Sequence, residues 1–412
     1  MGIFQIINHI YTMINHIKNK TLFPSPVLQN EYVRTWYEKL ACDKTSSWER
    51  YGPSLANGIK GWIFSDEEIL DAGRNHKLIH LDYEYGRTCS LKCKYCFRMN
   101  DERDGPTAMS DELWLNVLDQ CKEMGLSSVK LLGQGELTEN KNFLWAIQSI
   151  AERGITPLLF TSAHIFGNDK KCMRLHAMTG KELAEVLYAL GASIMVKVNS
   201  FNPDVQDSIV RKKGYTLERN AGLERLLDAG FANHNPTRLG LEVAMMKPDK
   251  YELIDIYNLK FLLNVYIDLD PFMPCGLTKD AQSLDFEFSM DDKMEIYQLV
   301  YDNNINYGMP FRGISPYAGG QVCSQLGYGL YINLYGGVFN CPGSLEQIGD
   351  VTKDSVVNIF QKSETVNEHK CSLDNGCPYR ENGKILFKGW EDTVRNRIKD
   401  RVRDDSLFKL TV

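Results

Sequence analysis

From Lys77 onward the chain alternates between two patterns. Short runs rich in β-branched and other apolar residues, at Leu78–Tyr85, Ser128–Leu132, Pro157–Thr161, Ser193–Val198, Gly240–Met245 and Asn264–Ile267, read as strands. Between them, Ser110–Glu123, Asn142–Arg153, Gly180–Leu190 and Thr216–Ala229 carry apolar residues at three- and four-residue spacing and predict amphipathic helices. Gly125, Gly154, Gly191 and Gly230 stand just beyond their ends, where a left-handed residue closes a helix. Alternation of this kind predicts an α/β fold with a parallel sheet and right-handed crossovers. Six such units make an open sheet or an incomplete barrel, and chemistry then belongs at the carboxyl ends of the strands.

Residues 1–77 read as a helical extension, with Pro24, Pro26 and Pro53 as breakers and Ser65-Asp-Glu-Glu68 as a helix start. Ile3, Phe4, Ile7, Ile10, Tyr11, Ile14 and Ile17 follow helical spacing, while Asn8, His9, Asn15 and His16 interrupt any signal-peptide core. Beyond Cys275-Gly276 a polar stretch leads to a helix near Ser289–Asn303, and the texture then turns glycine-rich. The expected division is an extension over 1–77, a partial barrel over 78–277, a linker helix over 278–304 and a compact metal-organised unit over 305–412.

The 412 residues are 43% hydrophobic and 24% charged, the composition of a folded globular protein. A net charge of −6 gives no cationic field for phosphates, so nucleic acid is an unlikely partner. No run approaches the eighteen apolar residues of a membrane span, and a cytoplasmic location is expected. Eleven cysteines, an odd number, argue against a fully paired disulfide framework and for metal thiolates.

Three of them stand as Cys89-Ser-Leu-Lys-Cys93-Lys-Tyr-Cys96 directly after the first strand. Chance would produce this spacing only about 0.008 times in such a chain. An iron–sulfur cube held by four thiolates is closed and suits electron transfer, whereas three thiolates leave one iron open for an external ligand. A zinc knuckle completed by His80 is the rival for the same cysteines. The segment from Glu84 to Cys96, including Tyr95 just before the third cysteine, resembles the radical S-adenosylmethionine (SAM) superfamily. That resemblance implies a partial (β/α)6 barrel and a [4Fe-4S] cluster whose open iron binds SAM. It further implies reductive cleavage of SAM to a 5′-deoxyadenosyl radical, with flavodoxin or ferredoxin as electron donor.

Other positions extend the resemblance. Gly133-Gln-Gly135-Glu136, at the end of the second strand, is similar to the family's glycine-glycine-glutamate motif, where the glutamate receives the SAM ammonium; Gln134 and Leu137 depart from it. Along the fourth strand Lys197 and Asn199 share one face, and the resemblance gives Asn199 the SAM ribose. Arg211 is similar to a basic position that meets the SAM carboxylate; a solvated basic loop is the alternative. Cys323, Gly336 and Cys341, followed by Cys371 and Cys377, resemble the SPASM/twitch extensions, and four cysteines imply one auxiliary cluster, with zinc as the other occupant of a four-thiolate site.

Four cysteines remain. Cys42, Cys121 and Cys172 are expected to be buried packing residues. Cys275 follows the sixth strand, where a thiol at the barrel mouth is able to return a hydrogen atom to a substrate radical, as in some epimerases of the family, although simple packing also accounts for it. The chemistry expected is a radical SAM oxidoreduction, with a small polar molecule as the first substrate class, a ribosomally made peptide as the second and redox-neutral epimerisation through Cys275 as a further alternative. Glu242, Lys197, Asp268 and Asp270 are the available proton acceptors.

Overall fold

In the computed structural model the described residues are 27–41, 58–96, 108–246, 249–271, 288–307, 325–344 and 346–373. Strands β1 (His80–Glu84), β2 (Ser128–Leu132), β3 (Thr156–Thr161), β4 (Ser193–Lys197), β5 (Leu239–Met245) and β6 (Tyr266–Pro271) lie side by side in chain order, all parallel. Helices α1 (Glu31–Ala41) and α2 (Asp66–Arg74) precede the sheet. Among the strands lie α3 (Asp111–Glu123), α4 (Phe143–Glu152), α5 (Asp169–His176), α6 (Gly180–Ala189), α7 (Pro203–Val210), α8 (Tyr215–Asp228) and α9 (Lys250–Leu263). After α10 (Met290–Asn306), β7 (Gly329–Ile332) returns to pair in parallel with β1. β8 (Gly337–Phe339) and β9 (Gly349–Asp350) continue that edge antiparallel, and α11 (Val356–Lys362) and α12 (Glu364–His369) follow. The result is the mixed α/β sheet of a partial barrel, with the C-terminal strands continuing the barrel's own sheet.

Local chemistry explains many of the element bounds. Ser65 caps α2 through a capping box with Glu68, as its sequence predicts. The Ser110 hydroxyl caps α3 by accepting from the Leu113 amide, and the Thr179 hydroxyl caps α6 by accepting from the Glu182 amide, with the Glu182 side chain completing a box. The four glycines beyond the predicted helices all have positive φ. One expectation is corrected. The sixth strand runs from Tyr266 to Pro271 because Asn264 is the left-handed cap of α9, its side chain held by the Ala232 and His234 carbonyls. α9 itself has no legible apolar stripe, since Glu252, Asp255, Asn258 and Lys260 are buried along with its apolar residues. Glu252, for instance, accepts from the Ser200 hydroxyl and the Phe201 amide at 2.7 Å.

The two faces of the sheet differ. Tyr83 stacks on Trp114 of α3 at 5.0 Å, placing Leu81 and Tyr83 in the large core beneath the helices. The alternate residues of each strand line the barrel interior. Near its amino end Leu158, Met195 and Tyr266 pack with Ile59 and Trp62 from the segment before β1, which bridges to Thr237. Beside them, with Lys130 the register partner of Leu158, the Lys130 ammonium lies 2.7 Å from Asp82 Oδ1 and 4.8 Å from the Trp62 ring centre. Toward the carboxyl end Lys197 pairs with Glu242 at 3.0 Å across the β4–β5 register. The interior therefore holds charged pairs at two levels, Asp82–Lys130 and Lys197–Glu242, beside its apolar cluster.

Candidate active site

The loop carrying Cys89, Cys93 and Cys96 leaves the carboxyl end of β1 and is pinned to the end of α7. Lys92 and Lys94 donate their amides to the Val210 and Ile209 carbonyls at 3.2 and 2.9 Å. Leu91, Cys93 and Tyr95 turn toward Ile209, Val210, Tyr215 and Met246, so alternate side chains of the loop anchor it in an apolar seat. The Tyr95 hydroxyl donates to Asn199 Oδ1 at 2.9 Å, joining the loop to the end of β4. Arg211, with φ of 55°, is the exposed left-handed cap of α7, one residue beyond the carbonyl that holds Lys92.

The Gly133-Gln-Gly135-Glu136 loop lies against the chain leading into the cysteines. Gln134 and Glu136 donate their amides to the Gly86 and Thr88 carbonyls at 3.2 and 2.8 Å, continuing the β1–β2 ladder past the strands. At Gly135 a Cβ would sit 2.3 Å from the Thr88 carbonyl oxygen, so only glycine permits this approach. Here the missing side chain serves a backbone-to-backbone contact. Gln134, where the resembled motif has glycine, donates to Glu84 at 3.2 Å and accepts from the Tyr335 hydroxyl at 3.1 Å. Glu84 also accepts from the Tyr331 hydroxyl and the Leu334 amide, at 2.7 and 2.8 Å. The motif's departure thus ties the C-terminal strand to the entrance of the cysteine loop. Burial raises the Glu84 carboxyl despite these three donors.

Glu136 is 6% exposed and receives five donors. Its Oε1 accepts from the Thr138 amide at 3.2 Å and from the Thr138 and Thr161 hydroxyls, both at 2.6 Å. Its Oε2 accepts from the Ser162 amide and hydroxyl at 2.7 and 2.5 Å. Beside it, Ser162 Oγ is 2.7 Å from His164 Nδ1, His164 Nε2 is 2.8 Å from Glu139 Oε1, and Glu139 takes the hydroxyl of Ser90, next to Cys89. Sequence reading missed Ser162, His164 and Glu139, and the one available signal was polar residues in the turn after a third parallel strand. Burial raises the Glu139 carboxyl, but donation from His164 and Ser90 outweighs it and holds the group at about 2.

The electrostatics of Cys89 and Cys93 favour a positively charged occupant. Burial pushes Cys89 up to about 12, and the Glu136 and Glu139 charges push the same way. Burial and Cys96 push Cys93 to about 12, opposed by Lys197. The Cys89 and Cys93 thiolates are therefore stable here only with strong cationic compensation, which an iron–sulfur core provides. The thiols are free and partly exposed, hence open to such a group. Among the described residues no three His, Cys, Asp or Glu side chains form a single-ion site. His80 is not available to a zinc knuckle: it is buried at the far end of β1, bound to Ser128 Oγ at 2.8 Å and beside Asp82 at 3.3 Å.

Of the other predicted positions, Gly336 turns the β7–β8 hairpin with φ of 96°. Cys341 lies just after β8, its sulfur accepting from the Gly343 amide at 3.3 Å. Cys371 is exposed, donates to the Leu70 carbonyl of α2 at 3.8 Å and packs on Gly73. Cys121 and Cys172 are buried packing residues, as expected. Cys42, Cys275, Cys323 and Cys377 lie outside the described residues.

A parallel partial barrel with a three-cysteine loop beside a Gly-x-Gly-Glu turn is the arrangement that the radical SAM resemblance implies. Residues 83–247 match the model of the radical SAM superfamily, and this part of the chain is a radical SAM domain. Among solved structures the chain resembles Streptococcus suis SuiB bound to precursor peptide SuiA, at 14% identity and a TM-score of 0.53 over 79% of this chain and 78% of that one. It also resembles native anSMEcpe with bound AdoMet, at 12% identity and a TM-score of 0.57 over 81% of this chain and 98% of that one. A further anSMEcpe structure, with AdoMet and the Cp18Cys peptide, aligns at 10% identity and a TM-score of 0.55 over 81% and 99%. At these identities the likeness is one of fold. No curated protein matches the chain, and no helix among the described residues is long and apolar enough to cross a membrane.

Proposed function

We propose that this chain is a radical SAM enzyme that abstracts a hydrogen atom from a peptide substrate and oxidises it. The reading rests on one observation: the Cys89, Cys93 and Cys96 loop and the Glu136 turn are laced together at the carboxyl ends of β1 and β2. In it Cys89, Cys93 and Cys96 hold the [4Fe-4S] cluster, Glu136 receives the SAM ammonium, and Gly133 and Gly135 shape the turn. Asn199, oriented by Tyr95, takes the ribose and Arg211 the carboxylate. When bound, cluster and SAM supply a 5′-deoxyadenosyl radical that removes one hydrogen atom, given one electron from a flavodoxin- or ferredoxin-type donor. Around it the chain's own residues act by placement: the seat of Leu91, Cys93 and Tyr95 fixes the thiols.

The peptide class draws its support from the fold likeness to SuiB and anSMEcpe, both solved with peptides, and takes precedence over the small polar molecule expected from sequence. Cys323, Cys341, Cys371 and Cys377 are proposed to hold one auxiliary cluster that accepts the substrate electron. Oxygen-free reconstitution tests the reading. Wild type should bind roughly eight irons and release 5′-deoxyadenosine from SAM under a one-electron reductant. Ala at Cys89, Cys93 or Cys96 should abolish that release, while Ala at Cys341 should spare it. No 5′-deoxyadenosine from iron-loaded protein would refute the enzyme assignment. A substrate radical quenched without net oxidation would instead favour epimerisation with Cys275 as hydrogen donor.

A further inference from the structure

We infer that the Ser162 hydroxyl is a two-position switch: it occupies Glu136 when the site is empty and turns to His164 when an ammonium group arrives. The inference rests on the reading of Glu136 as the acceptor of the SAM ammonium. A carboxylate has about four lone-pair directions, and Glu136 already receives two amides and three hydroxyls. An incoming ammonium must displace a donor. The two amides are fixed in the backbone, and the Thr138 and Thr161 hydroxyls donate to Glu136 with no second acceptor among the described residues. Ser162 Oγ, by contrast, lies 2.5 Å from Glu136 Oε2 and 2.7 Å from His164 Nδ1, one proton between two acceptors.

The second position is prepared. Glu139 accepts from His164 Nε2 at 2.8 Å, which leaves Nδ1 as the ring nitrogen that faces the Ser162 hydroxyl. The ring is fully buried, and the backbone around it is tightly held. A Cβ on Gly222 of α8 would lie 2.1 Å from the Ala163 carbonyl oxygen, and one on Gly167 would lie 1.8 Å from that of Glu218, so glycines bring α8 directly onto the segment bearing His164. The Tyr215 hydroxyl donates to the Ser162 carbonyl at 3.1 Å. Because these contacts fix both acceptors, rotation of one hydroxyl suffices, with no backbone movement. The same chain of bonds ends at Ser90, so the hydroxyl's position is also felt one residue from Cys89.

Equilibrium dialysis of SAM against iron-loaded protein under anaerobic conditions tests this, with 5′-methylthioadenosine as a probe lacking the ammonium. His164→Leu removes the second position and should weaken SAM about 5- to 10-fold, the worth of one hydrogen bond. Ser162→Ala removes the competitor and should bind SAM at least as tightly as wild type. The double variant should match Ser162→Ala, since without the hydroxyl nothing needs His164; a merely structural histidine would give no such rescue. 5′-Methylthioadenosine should bind all of them alike. Weakened SAM binding by Ser162→Ala with iron content intact overturns the switch, as does a double variant as weak as His164→Leu, and the first result decides even if His164→Leu fails to fold. Glu136→Gln separates the two levels: unchanged SAM affinity there overturns the glutamate assignment itself.

Discussion

Replacing Gly135 by alanine would put a methyl carbon 2.3 Å from the Thr88 carbonyl oxygen and 2.6 Å from the carbonyl carbons of Arg87 and Thr88. That is about 1 Å inside ordinary contact, and the obstacles are backbone, which cannot rotate away. The Glu136 amide bonds the same Thr88 carbonyl at 2.8 Å, so relief of the clash must pull that bond apart and move the chain entering Cys89. Overpacking of this kind costs about 1–3 kcal/mol. Gly191→Ala is the control: its φ is 76° and nothing lies within 4 Å, so it suffers only the left-handed penalty of about 1–2 kcal/mol. Both variants should unfold at lower urea, but only Gly135→Ala should lose bound iron and SAM affinity. Wild-type iron content and SAM binding in Gly135→Ala would refute the role given to this contact.

Three further outcomes follow from the same geometry. Lys130→Met leaves Asp82 buried with its cation gone, and urea unfolding should show a loss of about 3–5 kcal/mol. Glu139 is held at about 2 against an ordinary value of 4.5, so its ionised form stabilises the fold above pH 4.5 and that stabilisation is lost as pH falls toward 2; the stability gap between wild type and Glu139→Gln should accordingly close over this window in acid unfolding. Tyr95→Phe removes the donor to Asn199 and should cost about 1 kcal/mol of stability while iron content is retained, as measured by denaturation and iron assay.

The three-cysteine loop, the Gly-x-Gly-Glu turn and the order of six strands were legible in the sequence because each is a local signal. Spacing, side-chain period and capping residues act over a few positions and need no partner far away in the chain. Five of the strands fell within two residues of their predicted ends at the N-terminus and one at the C-terminus, and Ser65 and Ser110 marked true helix starts. Helix α9 was hidden because burial on all sides erases the polar face that periodicity depends on.

Other features were decided by the tertiary structure alone. The pairing of β7 with β1, the grip of Gln134 and Tyr331 on Glu84, and the Glu136–Ser162–His164–Glu139–Ser90 path join residues up to 249 positions apart, as in His80 and Gly329. A hydrogen bond needs two groups within about 3 Å, and nothing in the neighbours of Ser162 or Gln134 along the chain names the partner. Sequence determined which groups are present and on which strand ends they stand, while only the closing of the sheet decided which of them share protons.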